Sequence, residues 1–454
     1  MNLEMQATLK LPRHLRATEV DETLRGTISK QPVGTVASVQ ASAVVVAGIR
    51  APVGACCEIE SSTYLGQGMV IGFNDQGLLV SPEQGTQGVM AGDRVRVRSM
   101  HCRIPVGEEL LGRVVDCNAN PVDDQQPLSG SFKRSTIASP PPASRRRPIE
   151  SVLETGVKGI DAFATLGRGQ RLGLFAAAGV GKSQLLSMIA RGTDADVVVL
   201  ALVGERGREV GDLLQSLPED TCKKLVTVVA TSDQSATQRV RAAHSATTIA
   251  EQFRDSGKHV LLLMDSVTRF AIAQREVGLS AGEIPTTRGF PPSVFAALPQ
   301  LVERAGNADL NVPEAGSITA IYTVLVEGDD PREPISDTMQ GLLDGHVHLS
   351  RKIAQAGRYP AIDVPASLSR LQRSLLPAKQ QNLVDAARRL IAAYTENEDL
   401  IRIGGYEDGT DPLVDQAIVL HAQIENFLKQ TQESCSAEKA MQQLASILEA
   451  GMTA

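Results

Sequence analysis

Lys182 and Ser183 are the pair from which the chemistry of this sequence follows. They close a run of small residues, Ala176-Ala177-Ala178-Gly179-Val180-Gly181, which begins where the apolar stretch Arg171-Leu172-Gly173-Leu174-Phe175 ends. Behind them Leu185, Leu186, Met188 and Ile189 recur at helical spacing up to Gly192. Strand, glycine turn and helix in that order build an anion site, because glycines let consecutive backbone N–H groups converge and a helix N-terminus adds positive potential. In a triphosphate loop the lysine neutralises the terminal phosphates and the hydroxyl ligates Mg²⁺. The expected nucleotide-binding run is therefore Ala177, Ala178, Gly179, Val180, Gly181, Lys182, Ser183 and Gln184. One position departs from G-x-x-x-x-G-K-[ST]: Ala176 stands for the first glycine, while Gly179 and Gly181 remain.

Three further groups could complete a hydrolytic site. His259-Val260-Leu261-Leu262-Leu263-Met264-Asp265 is an apolar strand ending in a carboxylate, where Asp265 is placed to hold Mg²⁺ or its water opposite Ser183. Gly204-Glu205-Arg206-Gly207-Arg208-Glu209 follows the strand Val197 to Val203, on the sheet edge that faces the ligand crevice. Hydrolysis needs a carboxylate that orients and polarises water, and Glu205 is the first acid after the strand. Glu209 competes for that role, although its place at a helix start suits the dipole. Last, Arg358 to Arg370 follows the sheet strands. Phosphoryl-transfer sites commonly borrow an arginine from a neighbouring subunit, for which Arg370 is the candidate.

Stepping outward, β and α patterns alternate from about Ile149 to about Pro377: strands Leu225 to Ala230, Val260 to Met264 and Ser317 to Val326, with helices Glu209 to Leu217 and Ala236 to Ser256. Fully apolar strands in such an alternation imply an α/β fold with a largely parallel sheet covered by helices. Ahead of it, short β runs (Val33 to Val39, Ala43 to Ile49, Cys56 to Ile59, Gly68 to Phe73, Gly77 to Val80, Arg94 to Arg98) imply a small β-barrel. Ile104 to Asp116 reads as a turn, short helix and strand, and Pro140-Pro141-Pro142 with Arg145-Arg146-Arg147-Pro148 marks a boundary. After Ala378 the pattern is helical, with Asp411-Pro412 as N-cap and first turn of one helix. The expected organisation is an N-terminal arm (1–25), barrel (26–103), connector (104–150), ATPase domain (151–377) and helical domain (378–454).

Composition narrows the class. The 454 residues are 42% hydrophobic and carry a net charge of −7, which describes a globular protein and argues against a dedicated nucleic-acid binder. A barrel gripping single strands would also want several stacking rings, and aromatics make up only 3% of the chain. Six cysteines without paired metal spacing suggest reduced thiols in a cytosol. No signal core or bilayer-length apolar run is present, so a cytoplasmic protein is expected.

The ordered set Val106 to Asp116, Gly204 to Val210, Met264 to Phe270, Arg288 to Phe295, Gly316 to Val326, Leu343-Asp344-Gly345-His346, Tyr359 to Arg370 and Ile403 to Tyr406 resembles the ATP synthase alpha/beta family. Within that family it resembles the ATPases of type III protein secretion and flagellar export, as do Gly204 to Val210 and Glu327-Gly328-Asp329-Asp330. The resemblance implies a RecA-like P-loop NTPase core, a homohexamer, and ATP with Mg²⁺ bound between neighbouring subunits. It implies that Glu205 is the catalytic carboxylate, that Arg206 and Arg269 line the phosphate pocket, that Tyr359 stacks on adenine, and that Arg370 reaches across the interface. It further implies chaperone–effector complexes as substrates, with a stalk protein, a peripheral regulator and a membrane export gate as partners at the inner membrane. Three readings compete: flagellar export, a ring subunit that binds nucleotide without hydrolysis, and a hexameric RNA motor. Two departures stand out. The family's Asp-Arg after Ala230 is Asp233-Gln234 here, so no role passes to that arginine, and Asn118 and Asp124 replace connector glycines.

Overall fold

A computed structural model of the chain describes residues 33–40, 42–60, 65–123, 128, 132–312, 314–326, 333–431 and 433–450. The expected arm 1–25, Asp124 and Glu327 to Asp330 lie outside the described residues. The chain divides between Cys102 and Arg103 into two compact units.

In the first unit, strands Val33–Val39, Val44–Ala47, Cys56–Glu60, Leu65–Asn74, Gly77–Pro82 and Arg94–Ser99 close a barrel. Period-two alternation does the sorting. In Arg94–Ser99, Val95 and Val97 are fully buried while Arg94 and Arg98 face outward. All six strands were legible as β runs.

The second unit is built on a sheet of nine strands. Their order is Ile362–Ser369, Gly345–Leu349, Arg171–Ala176, Ser317–Leu325, His259–Asp265, Val197–Val203, Leu225–Ala230 and Val114–Val115, with Gly306–Asn307 paired to Ser317–Leu325. The ladder is parallel except at Gly306–Asn307 and at the edge strand Ile362–Ser369, which runs antiparallel to Gly345–Leu349. All seven residues of Val197–Val203 are buried, as a strand covered on both faces requires. Helix Ala236–Asp255 starts at a capping box made by Ser235 and Gln238.

Helices Ala378–Arg402, Pro412–Leu428 and Ala437–Ala450 form the C-terminal part, and Asp411 caps the second of them through the Leu413 N–H. Their apolar faces do not make a separate core. Leu390, Leu420, Ile424 and Leu444 share one cluster with Leu185, Leu186 and Ile189 of the helix Lys182–Gly192. The helical region is therefore packed through to the element that follows the phosphate loop.

Sequence pattern alone had not delivered helices Val267–Ser280, Pro292–Val302 and Pro334–Leu342 or strands Gly345–Leu349 and Ile362–Ser369. Pro299 lies inside one of these helices, and Pro365 is exposed in the edge strand, where a missing N–H is tolerated.

A buried polar network ties helix Ala236–Asp255 to the segment after Val302. Arg304, 2% exposed, donates to both Glu251 oxygens at 2.9 and 2.8 Å, to Thr248 Oγ1 at 2.8 Å and to the Thr136 carbonyl at 2.9 Å. His244 faces Arg304 Nη1 at 3.4 Å and packs edge-on against Phe270. Burial, aided by the guanidinium, pushes His244 from 6.5 down to about 3. It is thus neutral in the fold and regains its ordinary proton affinity on unfolding. Its contribution is complete above pH 6.5 and is lost as pH falls toward 3. In urea unfolding at successive pH values, His244→Phe should flatten the acid fall in stability by up to about 1.4 kcal/mol per pH unit.

Candidate nucleotide-binding and hydrolysis site

The strand Arg171–Ala176 delivers the loop to the C-terminal edge of the sheet. There Gly179 and Gly181 take φ of 80° and 91°, a left-handed region costly for side-chain-bearing residues. At Gly181 a second constraint applies, since a Cβ would stand 3.2 Å from the Tyr359 ring. Helix Lys182–Gly192 begins at once. Leu185, Leu186 and Ile189 bury its inner face, Val180 closes the loop from beneath, and Ala178, Gly179, Ser183 and Gln184 are left exposed. No side chain caps this helix, whose N-cap is Gly181. Its first-turn N–H groups are the kind that a phosphate satisfies.

Lys182 reaches two strand ends. Its Nζ donates to Glu205 Oε1 at 3.3 Å and to Asp265 Oδ1. Glu205 also accepts Arg269 Nε at 3.1 Å, and Asp265 accepts the Thr323 hydroxyl at 2.7 Å. The carboxylate side chains are only 6% and 3% exposed. Two buried acids are thus matched by two bases, which a low-dielectric site demands. Burial pushes the Asp265 carboxyl up, Lys182 opposes the rise and Glu205 adds to it, with a net shift upward.

The sheet register sets this geometry. Asp265 pairs with Leu202, so the next turn of chain, Gly204-Glu205, arrives beside it. Gly204 has φ of 72°, and a Cβ there would meet Arg269 Cδ at 3.0 Å. The glycine lets Arg269 lie across the turn, while Ser266 caps the helix that carries Arg269.

The other expected residues are distributed differently. Arg206 is 76% exposed at its side chain and pairs with Glu209 at 3.1 Å, outside the buried cluster. Tyr359 lies against Gly181 at the mouth of a cavity of ≈ 680 Å³, lined among others by Gln184, Lys158, Gln430 and Cys435. Arg370 is exposed. Its N–H donates to the Asp344 carbonyl at 3.0 Å and its Nη2 to the Gln340 carbonyl at 3.4 Å, and no hydrogen bond or ion pair among the described residues joins it to Lys182, Glu205, Asp265 or Arg269.

Mg²⁺ suits the donors at hand. The Ser183 hydroxyl and Asp265 carboxylate are hard oxygen ligands, and no group of three His, Cys, Asp or Glu among the described residues makes a dedicated metal cage. A cation that keeps its waters and shares phosphate oxygens fits such a sparse set. Sequence reasoning missed Thr323, whose signal was a threonine inside the otherwise apolar end of Ser317–Leu325. It also missed Gln430, which donates its N–H to the Tyr359 carbonyl at 3.0 Å and its side chain to the Gly156 carbonyl at 2.7 Å. Nothing in the sequence near Gln430 announced this role.

A phosphate loop between strand and helix, with acids ending the strands beside it, defines a P-loop nucleotide-hydrolysing enzyme. Residues 156–369 match the ATP synthase alpha/beta family, nucleotide-binding domain, and residues 376–446 match the T3SS EscN ATPase C-terminal domain. The SPI-2 type 3 secretion system ATPase of Salmonella typhimurium is 48% identical over 397 residues, covering 87% of this chain and 90% of that one. The flagellum-specific ATP synthase of the same organism is 47% identical over 396 residues, covering 84% and 86%. Among solved structures, the assembled ATPase EscN of the enteropathogenic E. coli type III secretion system superposes with TM-score 0.86 at 42% identity, covering 91% of this chain and all of that one. The chain belongs to the type III secretion and flagellar export ATPases of the ATP synthase alpha/beta family, and it is an ATPase.

Thr323→Val keeps the shape of the side chain and strips Asp265 of its hydroxyl donor. Unfolding free energy should drop by about 1–3 kcal/mol, and the Mg²⁺ concentration for half-maximal turnover should rise severalfold in a metal titration. An unchanged titration would show that the Thr323 hydroxyl has no part in how Asp265 meets the metal.

Proposed function

We propose that the chain hydrolyses ATP to energise type III protein secretion, releasing chaperones from export substrates and unfolding them at the cytoplasmic face of the inner membrane. In this reading residues 26–103 are the barrel, 104–150 the connector, 151–377 the ATPase domain and 378–454 the helical domain. The protein works as a homohexamer with a stalk protein, a peripheral regulator and the membrane export gate, and chaperone–effector complexes are what it acts on. Among the described residues no helix is long and apolar enough to cross a membrane, consistent with peripheral contact. EscN has been solved in complex with its central stalk EscO, with TM-score 0.84 to this chain.

The loop N–H groups from Ala177 to Gln184 and the Lys182 ammonium grip the phosphates, and Tyr359 stacks on adenine. Ser183 and Asp265 hold Mg²⁺, which when bound neutralises phosphate oxygens. A triphosphate draws Lys182 away from the strand-end acids, and Glu205, still oriented by Arg269, is released to orient the attacking water. Arg206, exposed beside Glu209, turns toward the phosphates when they are bound and meets their charge.

The position of Arg370 is the observation that carries the shared-site reading. Gly345 pairs with Ser369, and Gly345–Leu349 runs parallel to Arg171–Ala176. Arg370 therefore lies at the N-terminal edge of the sheet, whereas the phosphate loop of the same chain lies at the C-terminal edge. Six strand residues separate those edges by roughly 20 Å, beyond the reach of one arginine. Its use is in the site of a neighbour.

Secretion and flagellar relatives stand at 48% and 47% identity, so both machines share this chemistry and genomic neighbours assign one of them. A subunit that binds without hydrolysing would have little use for Glu205 where it stands, and an RNA motor would show turnover stimulated by RNA. Glu205→Gln should lower steady-state turnover at least about 100-fold while a fluorescent ATP analogue still binds. Equal, negligible rates in wild type and variant would favour the binding-only subunit. Arg370→Ala should cost about 1,000-fold or more in turnover at saturating ATP. Intact turnover in that variant would end the shared-site reading.

A further inference from the structure

Arg370 has to be aimed from its own protomer with little help from its side chain, whose hydrogen bond to Gln340 is long at 3.4 Å. Its backbone is held more closely. The Arg370 N–H donates to the Asp344 carbonyl at 3.0 Å, and the same carbonyl accepts Gln170 Nε2 at 3.2 Å. Gln170 Nε2 also donates to Ser369 Oγ at 2.9 Å. Gly345 closes from behind, where a Cβ would stand 2.8 Å from the Leu368 carbonyl oxygen and 3.1 Å from Ser369 Cα.

Asp344 is in turn clasped to the first residue of the phosphate-loop strand. Its N–H donates to the Arg171 carbonyl at 2.9 Å, and its Oδ2 accepts both the Arg171 N–H and Nε at 3.1 Å. Arg171 continues to Glu303 at 2.5 Å, and Glu303 to Arg146 at 2.6 Å. With side chains 16% and 27% exposed, Arg171 and Asp344 form a pair that solvent screens less than a surface pair.

We propose that Asp344, clasped by Arg171, is the positioning residue for the arginine that each protomer donates to the next. The carboxylate touches no nucleotide. It acts on the neighbour's reaction through the backbone of Arg370, and the proposal rests on the trans role assigned to Arg370 above. The energetic reason is steep geometry: an arginine at this position contributes about 10³–10⁵ to turnover, and misplacing a reacting group by about 1 Å costs about 100-fold. A loosened clasp should therefore lower the chemical step and spare the grip on base and phosphates, which lie at the other edge of the sheet.

Asp344→Asn keeps size and an acceptor while removing the charge, and Arg171→Lys keeps the charge while removing Nε–H. Turnover of rings assembled with nucleotide is measured for each variant, for Arg370→Ala and for both doubles, with melting temperature and particle size followed in parallel. Each single variant should lower kcat about tenfold with KM within about twofold, and neither should lower the residual kcat of Arg370→Ala further. Losses that multiply with that of Arg370→Ala, a raised KM at unchanged kcat, or full kcat in a folded variant would overturn the proposal. If Asp344→Asn fails to fold, Arg171→Lys decides by the same criteria, and failure of both to form rings would make the pair a folding element and overturn it too. Full turnover in Arg370→Ala alone would instead fault the trans reading, so the two failures are distinguishable.

Discussion

One ammonium between two buried carboxylates governs the second unit of this protein. Glu205 and Asp265 are buried acids at the ends of adjacent strands, where two like charges shielded by little water repel each other. Lys182 makes the arrangement tolerable. Because it also opens the helix behind the phosphate loop, the same charge that stabilises the acids is the charge a triphosphate needs. In the function proposed above, nucleotide entry is an exchange of partners within this electrostatic group, in which Arg269 and Thr323 already hold the acids.

Much of that group was legible from sequence because its signals are local. Lys182 and Ser183 sit in a loop defined by spacing, and Glu205 and Asp265 each follow a short apolar run whose length and β-branched or aliphatic content read as a buried strand. What stayed hidden is what strand order creates. Thr323 meets Asp265 because Ser317–Leu325 lies between the phosphate-loop strand and His259–Asp265, and no linear pattern states that neighbourhood. Arg304 with Glu251 and His244 was invisible for the same reason: one helix, the turn after Val302 and the segment holding Thr136 become one buried network only after folding.

Arg206 separates resemblance from geometry. Matched by motif to the phosphate pocket, it points outward to Glu209 in the isolated chain, and its neighbour in sequence, Glu205, turns inward. Two consecutive residues after a positive-φ glycine face opposite environments, so one serves the buried cluster and the other lies exposed against Glu209.

The antiparallel edge strand gives the shared site proposed above its geometry. Ile362–Ser369 leaves Tyr359 beside Gly181 at one end and Arg370 beside Asp344 at the other. The strand pairs with the five residues Gly345–Leu349, with a register shift between His346 and His348, so it spans roughly 17 Å and, in the function proposed above, marks both the base pocket of its own site and the arginine meant for the next. A parallel strand in this place would have carried its C-terminal end back to its own phosphate loop. Reversal of this one strand puts Tyr359 and Arg370 on opposite edges of a single sheet, which is the geometry the proposed ring of equivalent subunits requires.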